Sequence, residues 1–171
     1  MTSQTTGAAP IALHAGEGQA LWFFGALVIV KAADETTAGR VMVSETFAPR
    51  GHGSPLHVHR HEDEWFYVLE GEVTFWVDGE VMVGTAGTFV YGPRDHPHTF
   101  MVTSDVARFL LVTEPGDFSG FVRAVAEPAA ERVIPPPATE PPSMAALAAA
   151  AAEYGVEFLG PPGIPAGGAA G

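Results

Sequence analysis

Residues 51–71 read GHGSPLHVHRHEDEWFYVLEG, which sets four histidines and three consecutive acidic residues ahead of a segment apolar enough to be buried. Two readings are open: a solvated loop leading into a strand, or one edge of a metal site. His57 and His59 are one residue apart, and side chains alternate along a strand, so both imidazoles point to the same side. Glu64 lies five residues beyond His59 and would face the other way on an unbroken strand. A turn or bulge in residues 60–63 restores the inward direction. Further on, GTFVYGPRDHPHTF carries His98 after Gly87 and Pro93, a spacing that brings a third imidazole in from a neighbouring strand. A carboxylate beside Trp65 and Phe66 is costly to bury unless it is paired or metal-bound. His57, His59, Glu64 and His98 together favour a metal site, and a set of ordinary surface and capping residues is the competing reading.

The remaining candidates read more blandly. His61, Glu62 and Asp63 are expected to be solvated turn residues, and His52 an exposed member of a glycine-rich loop. His96 could share the face of His98, but Pro97 restricts the chain between them. His14 lies in an N-terminal arm and takes no role. Counting by twos, Phe66 and Val68 point with Glu64, and Phe100 points with His98. These three are the candidate walls of a substrate pocket.

Composition narrows the choice of partners. Eight Lys and Arg stand against twenty Asp and Glu, a formal charge of −12, and Lys31 is the only lysine. Nucleic acid and anionic membrane surfaces need clustered cations, so neither is expected as a partner. With no cysteine, a metal must be held by nitrogen and oxygen. The N-terminus has no basic, apolar leader, and the run LWFFGALVIV is about half the length of a membrane span. The expectation is a cytoplasmic protein without a membrane segment.

The positioning elements are strands. From Leu21 to Thr113, short β-rich runs alternate with Gly, Pro and small polar residues, and Asp78-Gly79 is a two-residue hairpin signal. The fold expected is all-β, a sandwich or barrel over residues 21–115, preceded by an arm over 1–20. Residues 116–134 hold a short helix packed on the barrel, with Asp117 or Ser119 as N-cap and Pro128 as stop. A Pro-rich linker follows over 135–143. An alanine-rich helix is expected over 144–159, with Ser143 at its N-cap and Gly155 just past its end, then a disordered tail over 160–171. The apolar run at 21–30 exposes more surface than an edge strand should, so a homodimer is expected to cover it.

The pattern Gly-x5-His-x-His-x4-Glu-x6-Gly, followed by Gly-x5-Pro-x4-His, resembles the two sequence motifs of the cupin superfamily. Gly51, His57, His59, Glu64 and Gly71 match the first motif throughout. In the second, Asp95 stands where glycine is usual and Val102 where asparagine is frequent, and neither departure removes a ligand. Together with WFFGALVIV, GPRDHPHTF and AAEYGVEFLGPPG, the chain is similar to single-domain bacterial cupins related to quercetin 2,3-dioxygenase. The resemblance implies a jelly-roll barrel with short C-terminal helices, and His57, His59, Glu64 and His98 as ligands.

The donor set suits one divalent transition metal per chain, whether Fe, Mn, Co, Ni, Cu or Zn. Glu64 could then act as a general base toward a substrate hydroxyl. The quercetinase-like reading implies a flavonol bound to the metal through its deprotonated hydroxyl, ring-opened by O2 with loss of carbon monoxide. The scarcity of cations points to a small neutral aromatic substrate. Two other functions need the same residues: non-oxidative isomerase, cyclase or lyase chemistry on a polyketide-like metabolite, and metal-containing binding of a small molecule without turnover.

Overall fold

Alternating β-branched and aromatic residues, punctuated by glycine turns, build two antiparallel sheets. The computed structural model describes residues 8–138, 143–166 and 169–170. The strands begin with β1 (Gln19–Phe23), β2 (Ala26–Ala32), β3 (Met42–Pro49), β4 (Pro55–His59) and β5 (Asp63–Glu70). They continue with β6 (Glu72–Val77), β7 (Glu80–Thr85), β8 (Phe89–Gly92), β9 (His98–Val102) and β10 (Val106–Glu114). Beyond these lie β11 (Glu127–Pro128), β12 (Val156–Pro162) and β13 (Ala169–Ala170). Helices α1 (Asp34–Thr37), α2 (Phe118–Val125) and α3 (Met144–Glu153) complete the described chain. One sheet has the order β11-β1-β2-β3-β10-β5-β8 and the other β12-β4-β9-β6-β7-β13, a jelly roll of two facing layers. Only β13 against β7 is parallel among the described pairs.

The turns follow from backbone sterics. Asp78 and Gly79 both have positive φ, 48° and 99°, and close the β6–β7 hairpin with Val77 opposite Glu80. Gly71 has φ 78°, and a Cβ there would sit 2.3 Å from the carbonyl oxygen of Val106, so no other residue fits. Asp95 takes the left-handed conformation at φ 65°, which is how an aspartate replaces the usual glycine there.

Two expectations need correction. The run at 21–30 is not an exposed edge. β1 lies between β2 and β11, β2 between β1 and β3, and Leu21, Leu27, Val28, Ile29 and Val30 are buried within one chain. Leu21, Val28 and Val30 pack against Phe118, Phe121 and Val122 of α2, a helix distant in sequence. The run therefore supplies no ground for a second copy.

The C-terminal helix, expected over 144–159, ends at Glu153. Ser143 caps it by accepting a hydrogen bond from Ala146 N, and Gly155 turns left-handed at φ 72°. The chain then re-enters the sheet as β12, pairing Val156 with His59 and Phe158 with His57. Residues 160–162, expected in a disordered tail, belong to this edge strand, where proline is tolerated. Residues 1–7 of the arm, 139–142 of the linker and 167, 168 and 171 of the tail lie outside the described residues.

Candidate metal centre

The two sheets divide the labour at the site. β4 carries His57 and His59, both turned inward by the two-residue period, and β9 sets His98 directly opposite His57. The facing sheet supplies Glu64 from β5, between Gly92 of β8 and Thr113 of β10. Residues 60–62 bend the chain from β4 in one sheet to β5 in the other, so Glu64 faces the imidazoles despite its odd spacing. One ligand atom from each of the four side chains lies within 4.8 Å of the others, and all four are buried. His98 Nε2 is 2.9 Å from Glu64 Oε2, His57 Nε2 is 3.2 Å from His59 Nε2, and His59 Nε2 is 3.9 Å from Glu64 Oε2.

The far side of each ring fixes its tautomer. His57 Nδ1 is 2.7 Å from the Pro55 carbonyl and His98 Nδ1 is 2.9 Å from the His96 carbonyl. A carbonyl only accepts, so both Nδ1 atoms carry a proton and both Nε2 atoms are turned toward the centre. His59 Nδ1 faces a carboxylate instead, Glu62 Oε2 at 3.2 Å. Three imidazole nitrogens and one carboxylate oxygen thus converge on one point. The four residues fit a divalent transition metal and could hold one.

Groups of the cluster shift one another's protonation. Burial alone would raise Glu64, but the hydrogen bond from His98 and the three nearby imidazoles bring its pKa down to about 2. Burial likewise opposes charge on His98, while the hydrogen bond and attraction of Glu64 outweigh it and raise its pKa. His57 is pushed well below the ordinary histidine value, first by burial and then by His98 and His59 beside it, so it is neutral and ready to donate its lone pair.

Other positions differ from the sequence reading. Glu62 is not solvated: it is fully buried, and its Oε1 has no hydrogen-bond partner. Asp63 receives three hydrogen bonds from Arg94, which occupies the cation next to the second motif. His61 is exposed as expected. His96 is half exposed and pairs with Asp78, so only its carbonyl serves the site. His14 is exposed. His52 is partly buried rather than exposed, and burial lowers its pKa to about 4 despite a hydrogen bond to the Phe24 backbone.

A cavity opens beside His57 and Glu64. Its walls include rings from Phe23, Phe24, Phe100, Phe118, Phe121 and Phe158, with His52, Ser44, Thr46 and Ser54 among the polar lining. The space open to centres of water-sized molecules is about 70 Å³, enough for roughly five waters. Of the three expected pocket residues, Phe100 lines the cavity, whereas Phe66 and Val68 are packed in the solid core. Alternation gave the correct face for both but not the depth. The walls missed by the sequence reading, Phe118, Phe121 and Phe158, come from α2 and β12, and Phe118 packs edge-on against His59 at 5.1 Å. Phe24, Gly53 and Pro55 line both this cavity and an open groove outside it.

Comparison with known proteins agrees with this architecture. Residues 43–113 match the cupin domain model. A quercetin 2,3-dioxygenase from Bacillus subtilis (strain 168) is 31% identical over 135 residues, which are 79% of this chain and 40% of that enzyme. The chain therefore spans less than half the length of this relative. A Thermotoga maritima structure, described as a predicted oxalate decarboxylase, superposes with TM-score 0.57 at 19% identity, over 61% of this chain and 99% of that one. An RmlC-like cupin from Shewanella frigidimarina gives 0.54 at 21% identity, over 64% and 93%. At such identities the two structures speak to the fold alone. No helix among the described residues is long and apolar enough to cross a membrane.

Proposed function

We propose, from the premise that this chain carries a cupin domain over residues 43–113 and resembles quercetin 2,3-dioxygenase, that it is a metal-dependent dioxygenase. Its substrate is a small, neutral, aromatic molecule that can enolise, of which a flavonol is the model. The observation that carries this reading is the opening of the His57–His59–Glu64–His98 cluster onto a cavity walled by phenylalanines. An apolar cavity excludes water and accepts a flat ring, while Ser44, Thr46, Ser54 and His52 offer hydrogen bonds to its oxygens. Arg94 is held by Asp63 and leaves the site without a cation for a phosphate.

Glu64 borders the cavity and is ionised at neutral pH, so it can accept the proton of a substrate hydroxyl. Its low pKa makes it a weak base, and transfer requires a hydroxyl acidified at the same moment. A divalent metal held by the four ligands would supply that acidification, stabilise the oxyanion and provide for reaction with O2. Phe118 and Phe121 wall the cavity that Glu64 borders and would hold the substrate ring there.

The test is oxygen consumption by metal-loaded protein with quercetin and with an enolised diketone, for wild type and His57→Ala. Uptake that disappears in the variant is the expected result. Turnover that persists without oxygen would replace this reading by non-oxidative isomerase, cyclase or lyase chemistry. Ligand binding with no turnover, unchanged in Glu64→Gln, would replace it by a binding protein.

A further inference from the structure

The three histidines are not anchored alike. His57 and His98 each give their Nδ1 proton to the carbonyl two residues earlier, Pro55 and His96. His59 gives its proton to a side chain, the carboxylate of Glu62, at 3.2 Å. Glu62 is fully buried, its second oxygen has no partner, and its neighbour Arg60 is turned away onto Asp95 and Glu157 at 3.0 and 2.7 Å. A buried carboxylate without a cation is costly unless a positive charge lies nearby. A divalent cation held by His59 Nε2 would place such a charge across the ring from Glu62.

We propose that Glu62 is a positioning residue of the metal centre: it holds the proton on His59 Nδ1, turns His59 Nε2 toward the metal, and offsets the charge of a bound divalent cation. This rests on a metal at the four-residue cluster and not on oxygen chemistry. Carboxylates that orient a metal-binding imidazole in this way change affinity about 10- to 100-fold when removed. The hydrogen bond and the charge are separable. Glu62→Gln keeps an acceptor for His59 and loses the charge, whereas Glu62→Leu loses both.

The probe is Co(II), titrated into the full chain against a competing chelator, with circular dichroism melts as a control for folding. Proton NMR of the Co(II)-loaded protein reads the shifted, exchangeable Nδ1–H signals of the bound histidines. Wild type is expected to show three such signals. Glu62→Gln should keep three and bind Co(II) about 3- to 10-fold more weakly, and Glu62→Leu should lose one and bind about 10- to 100-fold more weakly. If Glu62→Leu fails to fold, Glu62→Gln alone decides. Variants that bind within twofold of wild type, with all three signals present, would overturn the assignment while leaving the metal centre standing. Wild type that binds no Co(II) would overturn both.

Discussion

Two apolar clusters meet at this site, both rich in phenylalanine, and they pack in opposite ways. One is solid except where Phe100 and Phe109 border the cavity: Phe66, Phe75, Phe100 and Phe109 interlock with Val68, Val73 and Val90, with ring centroids 5.1 to 6.4 Å apart. The other, built from Phe23, Phe24, Phe118, Phe121 and Phe158, encloses free space. The solid cluster, apart from Ala26, comes from strands of the cupin-matched region, whose inward side chains are brought together by the ladders themselves. The hollow cluster comes largely from segments outside it, the β1–β2 turn, α2 and β12. The barrel strands bring the four buried side chains of the cluster together, and the additions to the barrel wall the space beside them.

The largest expected effect tests the solid side. Phe75 is 1% exposed and touches Phe66 and Phe100, so Phe75→Ala should cost about 3–5 kcal/mol. Urea unfolding of the metal-free protein measures it. Phe121 is equally buried, at 2%, but one side of its ring faces the cavity. The rings of Phe23, Phe24 and Phe118 around it can relax into the adjoining space, so Phe121→Ala should cost less, about 2 kcal/mol, while altering ligand affinity. Equal losses at the two positions would break the contrast.

A smaller effect concerns how α2 is held against the barrel. Arg123 grips both oxygens of Asp34 at 3.0 and 3.2 Å, and Ser119 donates to the same carboxylate at 2.6 Å. Glu35 also meets Arg123 at 3.0 Å. Burial alone would raise Asp34, but the hydrogen bonds from Arg123 and Ser119 hold it well below its ordinary value of 3.8. A lowered folded value means stabilisation that is fully present above the unfolded pKa and is lost as pH falls through the folded one. Asp34→Asn should therefore cost about 1 kcal/mol at pH 7, with the gap to wild type narrowing below about pH 4. Urea midpoints at pH 7 and pH 3 test this, and a gap of constant size would show that the charge of Asp34 is not what secures α2.

The contrast also marks what the sequence made legible. The clustering of the four side chains was readable because a two-residue period needs only local geometry: His57 and His59 had to share a face, and the spacing to Glu64 required a bend, which is observed between β4 and β5. Glu62 was missed because a polar run between strands reads as solvent-exposed, although it shares the parity of Glu64 and so pointed inward by the same rule. Phe66 and Val68 show the limit of parity, which assigns a face and says nothing of distance along the strand. The cover over β1 and β2 was beyond reach, since it depends on α2 folding back across the sheet. β12 was hidden by its glycine and prolines, which an edge strand accepts and a composition reading assigns to a tail.

The smallest effect on stability should come at the residue that borders both the hollow and the solvent. Phe24 sits in the β1–β2 turn at φ 52°, with Gly25 at 85°, and an aromatic residue in that region is strained by about 1 kcal/mol. Its ring lies tilted against Phe23, centroids 4.2 Å apart, and lines both the inner cavity and the outer groove. Phe24→Gly removes the strain and the ring together, so the melting temperature should move little, by the equivalent of about 0.5–1 kcal/mol in either direction. Ligand access should change far more. A space fit for a few waters admits a fused ring system only if this turn opens, so the glycine variant should gain affinity for two-ring and three-ring enols and little for single-ring ones. Calorimetric titration across such a size series reads the difference. A uniform gain at every size would mean that the turn lies on the way in without selecting by size, and no gain at all would assign access to α2 instead.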